Sequence, residues 1–291
     1  MFIATLLTDP SRSILDRATV EALRNAWGGG DATWLQPGVA AEFGVEAMPS
    51  NRWEVWAGMQ QLGIDLVVQV AAGRRKRLLI ADMDSTMIQQ ECIDELADEA
   101  DVWAQVSAIT ARAMNGELDF EDALRERVGL LGGLPETVIA SVLRDRITLM
   151  PGGPALLATM KANGGYAALV SGGFTSFTTA IAARLGFDEN RANTLLVEGG
   201  VLTGKVADPI LGKAAKLAAL EDISARLGIT PADAMAVGDG ANDLAMLNRA
   251  GAGVALHAKP SVAVQCDIRV NHGDLTALLF MQGYTREEFV E

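Results

Sequence analysis

Short apolar runs that alternate with helical patterns constrain the fold of this chain more than any other feature of its sequence. From residue 78 onward these runs are Leu78–Ala81, 167–170, 234–237, Ala252–Leu256 and Ile268–Val270. The intervening helical patterns include 154–162, 176–185 and 214–227. Runs that are apolar on both faces are typical of parallel strands that helices cover on both sides. The sequence therefore predicts an α/β protein built on a parallel sheet.

One interval breaks this alternation. Between Ile88 and Leu149 nearly the whole sequence has helical periodicity. The helical segments are 91–114, 120–131 and 135–144. Asp119 is placed to cap the second of these helices. Because the insertion comes directly after the first strand, we predict that residues 89–149 form a helical cap over the carboxyl end of that strand.

Residues 1–73 form a separate block before the sheet. The predicted elements are a strand at 2–7, a helix from Asp9-Pro10 to Trp27, a helix at 53–62 and a strand at 65–71. Asp9 can cap the first helix, and Pro10 suits its first turn. This pattern predicts a small α/β N-terminal domain.

The net charge of the chain limits the kinds of partner that it can bind. The 291 residues include 24 Lys and Arg against 37 Asp and Glu, which gives a formal charge of −13. This acidic balance argues against nucleic acid or an anionic membrane as a partner. The short basic run Arg74-Arg75-Lys76-Arg77 is either an anion-binding patch or a solvated linker, and we favour the linker.

Cysteine content and hydropathy argue against further classes of protein. Cys92 and Cys266 are the two cysteines, with no CxxC spacing, so we expect neither a disulfide scaffold nor a structural zinc site. The first residues lack the basic region of a signal peptide and are interrupted by Asp9-Pro10. No apolar run reaches the ~18 residues of a membrane span. We therefore expect a soluble, cytoplasmic protein.

Carboxylates collect where the apolar runs end. Asp82 and Asp84 follow the first run, and Asp239 and Asp243 follow the run at 234–237. Paired carboxylates at the end of a buried strand are costly unless a cation joins them, and Mg²⁺ prefers such oxygen ligands. If the two strands are neighbours, Asp82, Asp84 and Asp239 converge on one ion. The alternative is a strand-terminating Asp with an Asx-turn.

Two further features fit phosphate chemistry. Ser171-Gly172-Gly173 offers a hydroxyl and free amides at a strand-to-helix turn, although an ordinary glycine turn is the better explanation of this motif taken alone. Lys213 and Lys216 both lie in a helical segment, and spacing alone does not choose between them. With the carboxylates, these parts indicate phosphoryl transfer through an aspartyl-phosphate.

Several motifs in order resemble those of the haloacid dehalogenase (HAD) superfamily, and most closely its members that hydrolyse phosphoserine. The motifs are Asp82-Met83-Asp84-Ser85-Thr86, residues 114–120, residues 124–128, Ser171-Gly172-Gly173-Phe174, Lys216, and Gly238-Asp239-Gly240-Ala241-Asn242-Asp243. The resemblance covers residues 78–275. It implies the HAD fold, with a Rossmann-like parallel sheet core at 78–88 and 150–291 and the inserted helical cap at 89–149. Residues 1–73 resemble ACT-like regulatory domains only loosely.

The resemblance also implies an activity and its residues. The reaction is hydrolysis of O-phospho-L-serine to L-serine and phosphate, the last step of serine biosynthesis, with Asp82 as nucleophile and Asp84 as general acid/base. Mg²⁺ is bound by the Asp82 carboxylate, the Asp84 backbone carbonyl and Asp239, with Asp243 behind them. The implied substrate contacts are Ser171, Gly172, Lys216 and Asn242 to phosphate, Glu91 to the amino group and Arg127 to the carboxylate, with Met114 and Phe120 shielding the site.

Alternatives remain for the activity and for two parts of the chain. A related metabolite phosphatase or a phosphotransferase would use the same phosphate contacts. A signalling receiver domain also forms an aspartyl-phosphate, but the helical insertion and an acid two residues beyond the nucleophile argue against it. Glu91 and Arg127 could instead be a solvated helix face. Residues 1–73 could sense an amino acid, form a homodimer or serve packing.

Overall fold

The first part of the chain folds around an antiparallel sheet. The computed structural model describes residues 1–114 and 117–290, with Met114 described by its backbone alone. The first elements are β1 (Phe2–Thr8), α1 (Arg17–Ala26), β2 (Thr33–Gln36), β3 (Ala40–Val45), α2 (Arg52–Gln61) and β4 (Ile64–Val70). Their strands pair antiparallel in the order β2-β3-β1-β4. The predicted first and last strands and second helix are confirmed, whereas the sequence did not reveal β2 and β3.

The start of α1 corrects a prediction. The Asp9 carboxylate accepts a hydrogen bond from the Ser11 amide in a local turn and does not cap a helix. The chain passes through a left-handed residue at Ser13, with φ of 45°. The helix begins at Arg17, where Asp16 accepts from the Thr19 amide at 2.7 Å. Asp and Pro suit turns as well as helix starts, so the pattern alone did not separate the two.

The rest of the chain builds the second sheet and its helices. These elements are β5 (Leu78–Ala81), α3 (Cys92–Glu99), α4 (Trp103–Met114), α5 (Phe120–Gly129), α6 (Thr137–Asp145), α7 (Gly153–Ala162), β6 (Tyr166–Phe174), α8 (Thr175–Leu185), β7 (Glu189–Asn193), β8 (Leu195–Glu198), β9 (Val201–Val206), α9 (Lys213–Arg226), β10 (Ala234–Gly238), α10 (Leu244–Arg249), β11 (Ala252–Leu256), α11 (Pro260–Ala263), β12 (Ile268–Val270) and α12 (Ala277–Met281). Within the described ranges, no helix is long and apolar enough to cross a membrane.

A parallel sheet lies at the centre of this second unit. In the described part of the chain it has six strands in the order β12-β11-β10-β5-β6-β7. The five predicted apolar runs all form strands of it, and β5 lies between β10 and β6. The edge strand β7, of sequence Glu-Asn-Arg-Ala-Asn, and the hairpin β8–β9 were not predicted. Edge strands bury less apolar surface, so their sequences carry a weaker pattern.

The predicted insertion forms four helices beside the sheet. The chain leaves and re-enters the core at one point, where Ile88 and Leu149 form an isolated bridge. Asp119 caps α5 as predicted, accepting from the Asp122 amide at 2.8 Å. The prediction of a single helix at 91–114 is wrong, because this segment is divided between α3 and α4. Asp101, with φ of 56°, lies at the break in a left-handed conformation that a continuous helix does not contain.

One buried hydrophobic cluster spans the two units. Leu7 and Val67 of the first sheet belong to the same buried cluster as Leu278 and Phe280. The Asp65 carboxylate, fully buried, accepts from the amides of residues 271–273, which follow β12. These contacts favour a packing role for the first unit, while its assignment as a domain with a regulatory or dimer-forming function stays a prediction.

The basic run after β4 is not a solvated linker. Arg74 donates two hydrogen bonds to the Glu42 carboxylate, and the longer of them is 2.7 Å. Arg75 pairs with Glu288 at 2.8 Å, and its guanidinium lies 3.9 Å from the centre of the Tyr284 ring. The run therefore joins the first unit to the end of the chain, a role that depends on residues remote in sequence.

We expect Glu42→Gln to lower the free energy of unfolding by about 1–3 kcal/mol, because it leaves the Arg74 guanidinium without its charged partner. The two side chains are only 11% and 20% exposed, so water does not replace the lost interaction well. Urea denaturation measures the effect. As a control, Asp145→Asn removes the partner of Arg144 in a pair with side chains 57% and 66% exposed, and should cost less than about 1 kcal/mol. Equal losses would contradict the prediction.

Candidate active site

The central strands carry the candidate residues to one edge of the sheet. Ala81, the last residue of β5, pairs with Val237 of β10 and with Leu169 of β6. Asp82 follows Ala81, and its amide donates to the Val237 carbonyl at 3.0 Å. The ends of the three strands therefore lie side by side, which meets the condition that the sequence left open for convergence of the carboxylates.

A buried ammonium group lies among the carboxylates. Lys216 Nζ lies 2.7 Å from Asp82 Oδ2 and 2.6 Å from Asp243 Oδ1. Burial alone would lower the pKa of Lys216, but the charges of Asp82 and Asp243 outweigh it and raise that pKa. Lys213 is exposed at the rim of the site. The structure thus resolves the ambiguity between the two lysines in favour of Lys216 as the residue beside Asp82.

The carboxylate cluster has the chemistry of a metal site. Single oxygens of Asp82, Asp239 and Asp243 all lie within 4.8 Å of one another. Three carboxylates against one ammonium leave an excess of negative charge. Burial first, and then the charge of Asp82, raises the pKa of Asp239 to about 6. An oxygen-only set with excess negative charge suits a hard divalent cation, so the residues present fit such an ion.

The composition of this cluster differs from the predicted ligand set. Asp243, which the resemblance placed behind the metal, contributes an oxygen to the cluster. Among the described residues, the Asp84 side chain is not part of this cluster, and its metal contact through the backbone carbonyl stays a prediction. The Gly240 amide donates to Asp243 at 3.0 Å, and the Thr86 hydroxyl donates to Asp239 at 3.2 Å. These bonds fix the orientation of both carboxylates.

The surroundings of the Asp84 side chain bring its pKa close to neutral pH. Burial is the main cause that raises the pKa of Asp84 to about 7. A hydrogen bond from Cys92 opposes the shift, with the amide 3.2 Å from Oδ1, and the charge of Asp82 adds to it. A Cβ atom at Gly173 would lie 2.7 Å from Asp84 Oδ2, so glycine is required there. A carboxyl group with such a pKa can both donate and accept a proton at pH 7.

The end of β6 lies beside the carboxylates. Residues 171–173, predicted as a turn after the strand, belong to β6 itself, because the backbone continues the strand as far as Phe174. Ser171 is 1% exposed, and its hydroxyl accepts from the Gly173 amide at 2.8 Å. Gly172 and Asn242 line the same cavity. A Cβ atom at Gly172 would lie 3.0 Å from the Phe120 ring, so the ring closes over this end of β6. Ser171 and Gly172 therefore line the cavity at a place where an anion can bind.

A cavity of about 990 Å³ separates the sheet edge from the inserted helices. Asp82, Asp84 and Asp239 line it from the sheet side, and Glu91 and Arg127 line it from the insertion. Arg127 donates to the Ala123 carbonyl at 3.2 Å and to the Thr110 hydroxyl at 3.4 Å. The side chain of Met114, predicted to shield the site, lies outside the described residues. The cavity therefore offers two opposite charges facing the carboxylate cluster.

Both charges in the cap are perturbed by their surroundings. Glu91 remains accessible to water inside the cavity but is enclosed by protein on most sides. This burial, followed by the charge of Asp84, raises the pKa of Glu91 to about 7. Burial lowers the pKa of Arg127, although nearby Asp94 and Glu91 oppose that shift. A bound ligand of complementary charge would therefore stabilise the ionised forms of both side chains.

Two features near the site were missed by sequence reasoning. Ser85 has φ of 53° and donates from its hydroxyl to Glu91 Oε1 at 2.7 Å. A second cavity, of about 900 Å³, lies between the first unit and the core and is lined by Ser85, His257 and His272 among others. The only available signal was the place of Ser85 beside Asp84, because its contact with Glu91 depends on how the cap folds back.

Comparisons with known proteins agree with the fold. A model of the haloacid dehalogenase-like hydrolase family matches residues 79–248, more than half of the chain. A phosphoserine phosphatase of Streptomyces coelicolor is 44% identical over 257 residues, which is 87% of this chain. The match covers 62% of that relative, so this chain spans less than two thirds of its length.

Solved structures resemble both the whole chain and its second unit. A HAD family hydrolase of Salmonella enterica serovar Typhi superposes with a TM-score of 0.87 at 33% identity, covering 99% of this chain and 100% of that one. A structure described as the phospho-aspartyl intermediate analogue of phosphoserine phosphatase has a TM-score of 0.66 at 41% identity and covers 70% of this chain and 98% of its own.

Proposed function

Because this chain belongs to the haloacid dehalogenase-like hydrolase family, we propose that it hydrolyses O-phospho-L-serine to L-serine and phosphate. The observation that carries this proposal is the placement of Glu91 and Arg127 across one cavity from the Asp82 cluster. For a substrate that carries a phosphate, an ammonium and a carboxylate, the site has a complementary group for each of the three. The names of the similar phosphatases support the same substrate.

Asp82 is the proposed nucleophile. Its carboxylate attacks phosphorus, the bond between phosphorus and the serine oxygen breaks, and an aspartyl-phosphate forms. Lys216, at 2.7 Å from Asp82, neutralises charge on the phosphoryl oxygens and on the carboxylate. Ser171, the Gly172 amide and Asn242 hold the remaining phosphoryl oxygens. The similar structure with a phospho-aspartyl intermediate analogue supports this route.

Asp84 is the proposed general acid and base. In its protonated form it gives a proton to the departing serine oxygen. In its ionised form it takes a proton from the water that attacks the aspartyl-phosphate, a bond forms between phosphorus and the water oxygen, and the phosphorus–oxygen bond to Asp82 breaks. A pKa of about 7 makes both forms accessible near neutral pH. Each turnover thus returns Asp84 to its starting form.

The proposed cofactor is Mg²⁺, held by Asp82, the Asp84 backbone carbonyl and Asp239, with Asp243 in support. When bound, it supplies positive charge that stabilises the phosphoryl oxygens in the transition state. Phe120 and Met114 are proposed to exclude water from the closed site. A cytoplasmic location, a homodimer and a regulatory role for residues 1–73 stay predictions from the sequence.

Steady-state turnover tests the proposal. The purified chain is assayed with L-phosphoserine, D-phosphoserine, phosphothreonine and p-nitrophenyl phosphate, after exhaustive chelation and after return of Mg²⁺. We expect L-phosphoserine to have the highest kcat/KM. Chelation should stop turnover, because the clustered carboxylates then repel each other and the incoming phosphate, and Mg²⁺ should restore it.

Three outcomes would count against the proposal, each in a different way. Equal kcat/KM for all phosphomonoesters would contradict the substrate and favour a general phosphatase of the same family. Full activity after chelation would contradict the metal. Persistence of the phosphorylated protein for minutes without release of phosphate would favour a signalling receiver role instead.

A further inference from the structure

We propose that Ser85 is a positioning residue that holds the Glu91 carboxylate toward the substrate amino group and so contributes to substrate selection. This inference rests on the proposed function, because it deepens the role of Glu91 in the same site. Ser85 itself is not proposed to touch the reacting atoms.

The geometry of the contact is specific. The Ser85 hydroxyl lies 2.7 Å from Glu91 Oε1, and the Ser85 amide donates to the Gln90 carbonyl at 3.2 Å. Ser85 has φ of 53°, a conformation uncommon for residues other than glycine. The turn thus folds back on itself and places the Ser85 hydroxyl beside Glu91, the residue that precedes α3.

The electrostatic surroundings explain why Glu91 needs this donor. The charges of Asp84, Asp82 and Asp94 all raise the pKa of Glu91, whereas the Ser85 hydrogen bond lowers it. Within the described residues, Glu91 forms no ion pair. A glutamate side chain has several rotamers, and repulsion from these carboxylates favours those that turn away from the site. The Ser85 bond opposes that rotation.

The same segment ties the cap to the general acid. The Cys92 amide, next to Glu91, donates to Asp84 Oδ1 at 3.2 Å. Residues 84 and 85 therefore bind two consecutive residues at the start of α3, one through a carboxylate and one through a hydroxyl. Loss of the Ser85 bond leaves the Asp84 contact in place, so it should affect selection more than the chemical step.

The test compares two substrates that differ only in the group that Glu91 is proposed to read. L-Phosphoserine carries the amino group, and 3-phosphooxypropanoate lacks it. The measured quantity is the ratio of their kcat/KM values for the wild-type chain, Ser85→Ala and Ser85→Gly. We expect both variants to lower this ratio by ~10- to 100-fold, the scale of a hydrogen bond to a charged group. The loss should appear mainly as a higher KM for L-phosphoserine.

The glycine variant separates the hydroxyl from the backbone. Glycine adopts positive φ without strain, so Ser85→Gly keeps the turn while it removes the donor. A ratio that stays at the wild-type value in Ser85→Gly would overturn the proposal. An equal loss of kcat on both substrates in both variants would also overturn it, because the residue would then support the catalytic loop in general.

A double-mutant cycle with Glu91→Gln completes the test. If Ser85 acts through Glu91, adding Ser85→Ala to Glu91→Gln should change the ratio by less than ~2-fold. An undiminished effect in that background would overturn the proposal. A wild-type chain that does not prefer L-phosphoserine would refute the proposed function together with this inference. Preference in the wild type that survives Ser85→Ala would refute this inference alone.

Discussion

Asp82→Asn is expected to lower kcat for L-phosphoserine by at least ~10⁴-fold, the scale on which loss of a covalent nucleophile acts. An amide oxygen does not attack phosphorus as a carboxylate does, so no aspartyl-phosphate forms. The fold should remain intact, because Lys216 keeps its contact with Asp243 at 2.6 Å. Steady-state turnover and the thermal unfolding temperature are measured on the same preparation.

The control for this variant is Asp119→Asn. Asp119 also lines the cavity, but it caps α5 and lies apart from the carboxylate cluster. Its substitution should change kcat by less than ~10-fold, since it affects the stability of one helix end. Normal turnover by Asp82→Asn, with deamidation excluded by mass spectrometry, would rule out Asp82 as the nucleophile.

Arg127→Ala is expected to lower kcat/KM for L-phosphoserine by ~30-fold to a few thousand-fold. Removing one partner of a charge pair in an enclosed site costs ~2–5 kcal/mol, and ~1.4 kcal/mol corresponds to one decade. The loss for p-nitrophenyl phosphate should be far smaller, because that substrate has no carboxylate for Arg127 to bind. The ratio of the kcat/KM values for the two substrates therefore measures how strongly Arg127 selects for the substrate carboxylate.

Arg125→Ala is the matched control for this prediction. Arg125 lies on α5 with Arg127 but is exposed and pairs with Asp208 at 2.7 Å. A solvated arginine contributes little, so both substrates should be turned over normally. Equal losses on the two substrates in Arg127→Ala would show a folding or phosphate-binding role and would contradict the selection of the carboxylate by Arg127.

Local patterning predicted the parts of the fold that bury the most apolar surface. The runs that became β5, β6, β10 and β11 are short and apolar on both faces, which is the pattern of a central parallel strand. The edge strand β7 and the hairpin β8–β9 were missed, because partly exposed strands carry mixed sequences. The break between α3 and α4 was missed because it depends on one left-handed residue, Asp101.

The sequence by itself determined which residues lie at the ends of the strands, since a strand's end is set by its own apolar run. Asp82 and Asp239 were placed at one edge of a sheet on that ground, whereas Ser171, predicted to follow its strand, lies within β6. The sequence could not choose between Lys213 and Lys216, because helical spacing places both within reach of that edge. Tertiary structure decided for Lys216 by burying it between Asp82 and Asp243.

Only the folded chain brought the cap onto the site. Glu91 and Arg127 are 36 positions apart in sequence (127 − 91), and no local pattern relates them to each other or to Asp82. Their place in one cavity depends on how α3 and α5 pack against other parts of the chain, and the Ser85–Glu91 bond depends on the turn between these two residues. Local propensity acts over a few residues, whereas these contacts follow from packing between distant segments.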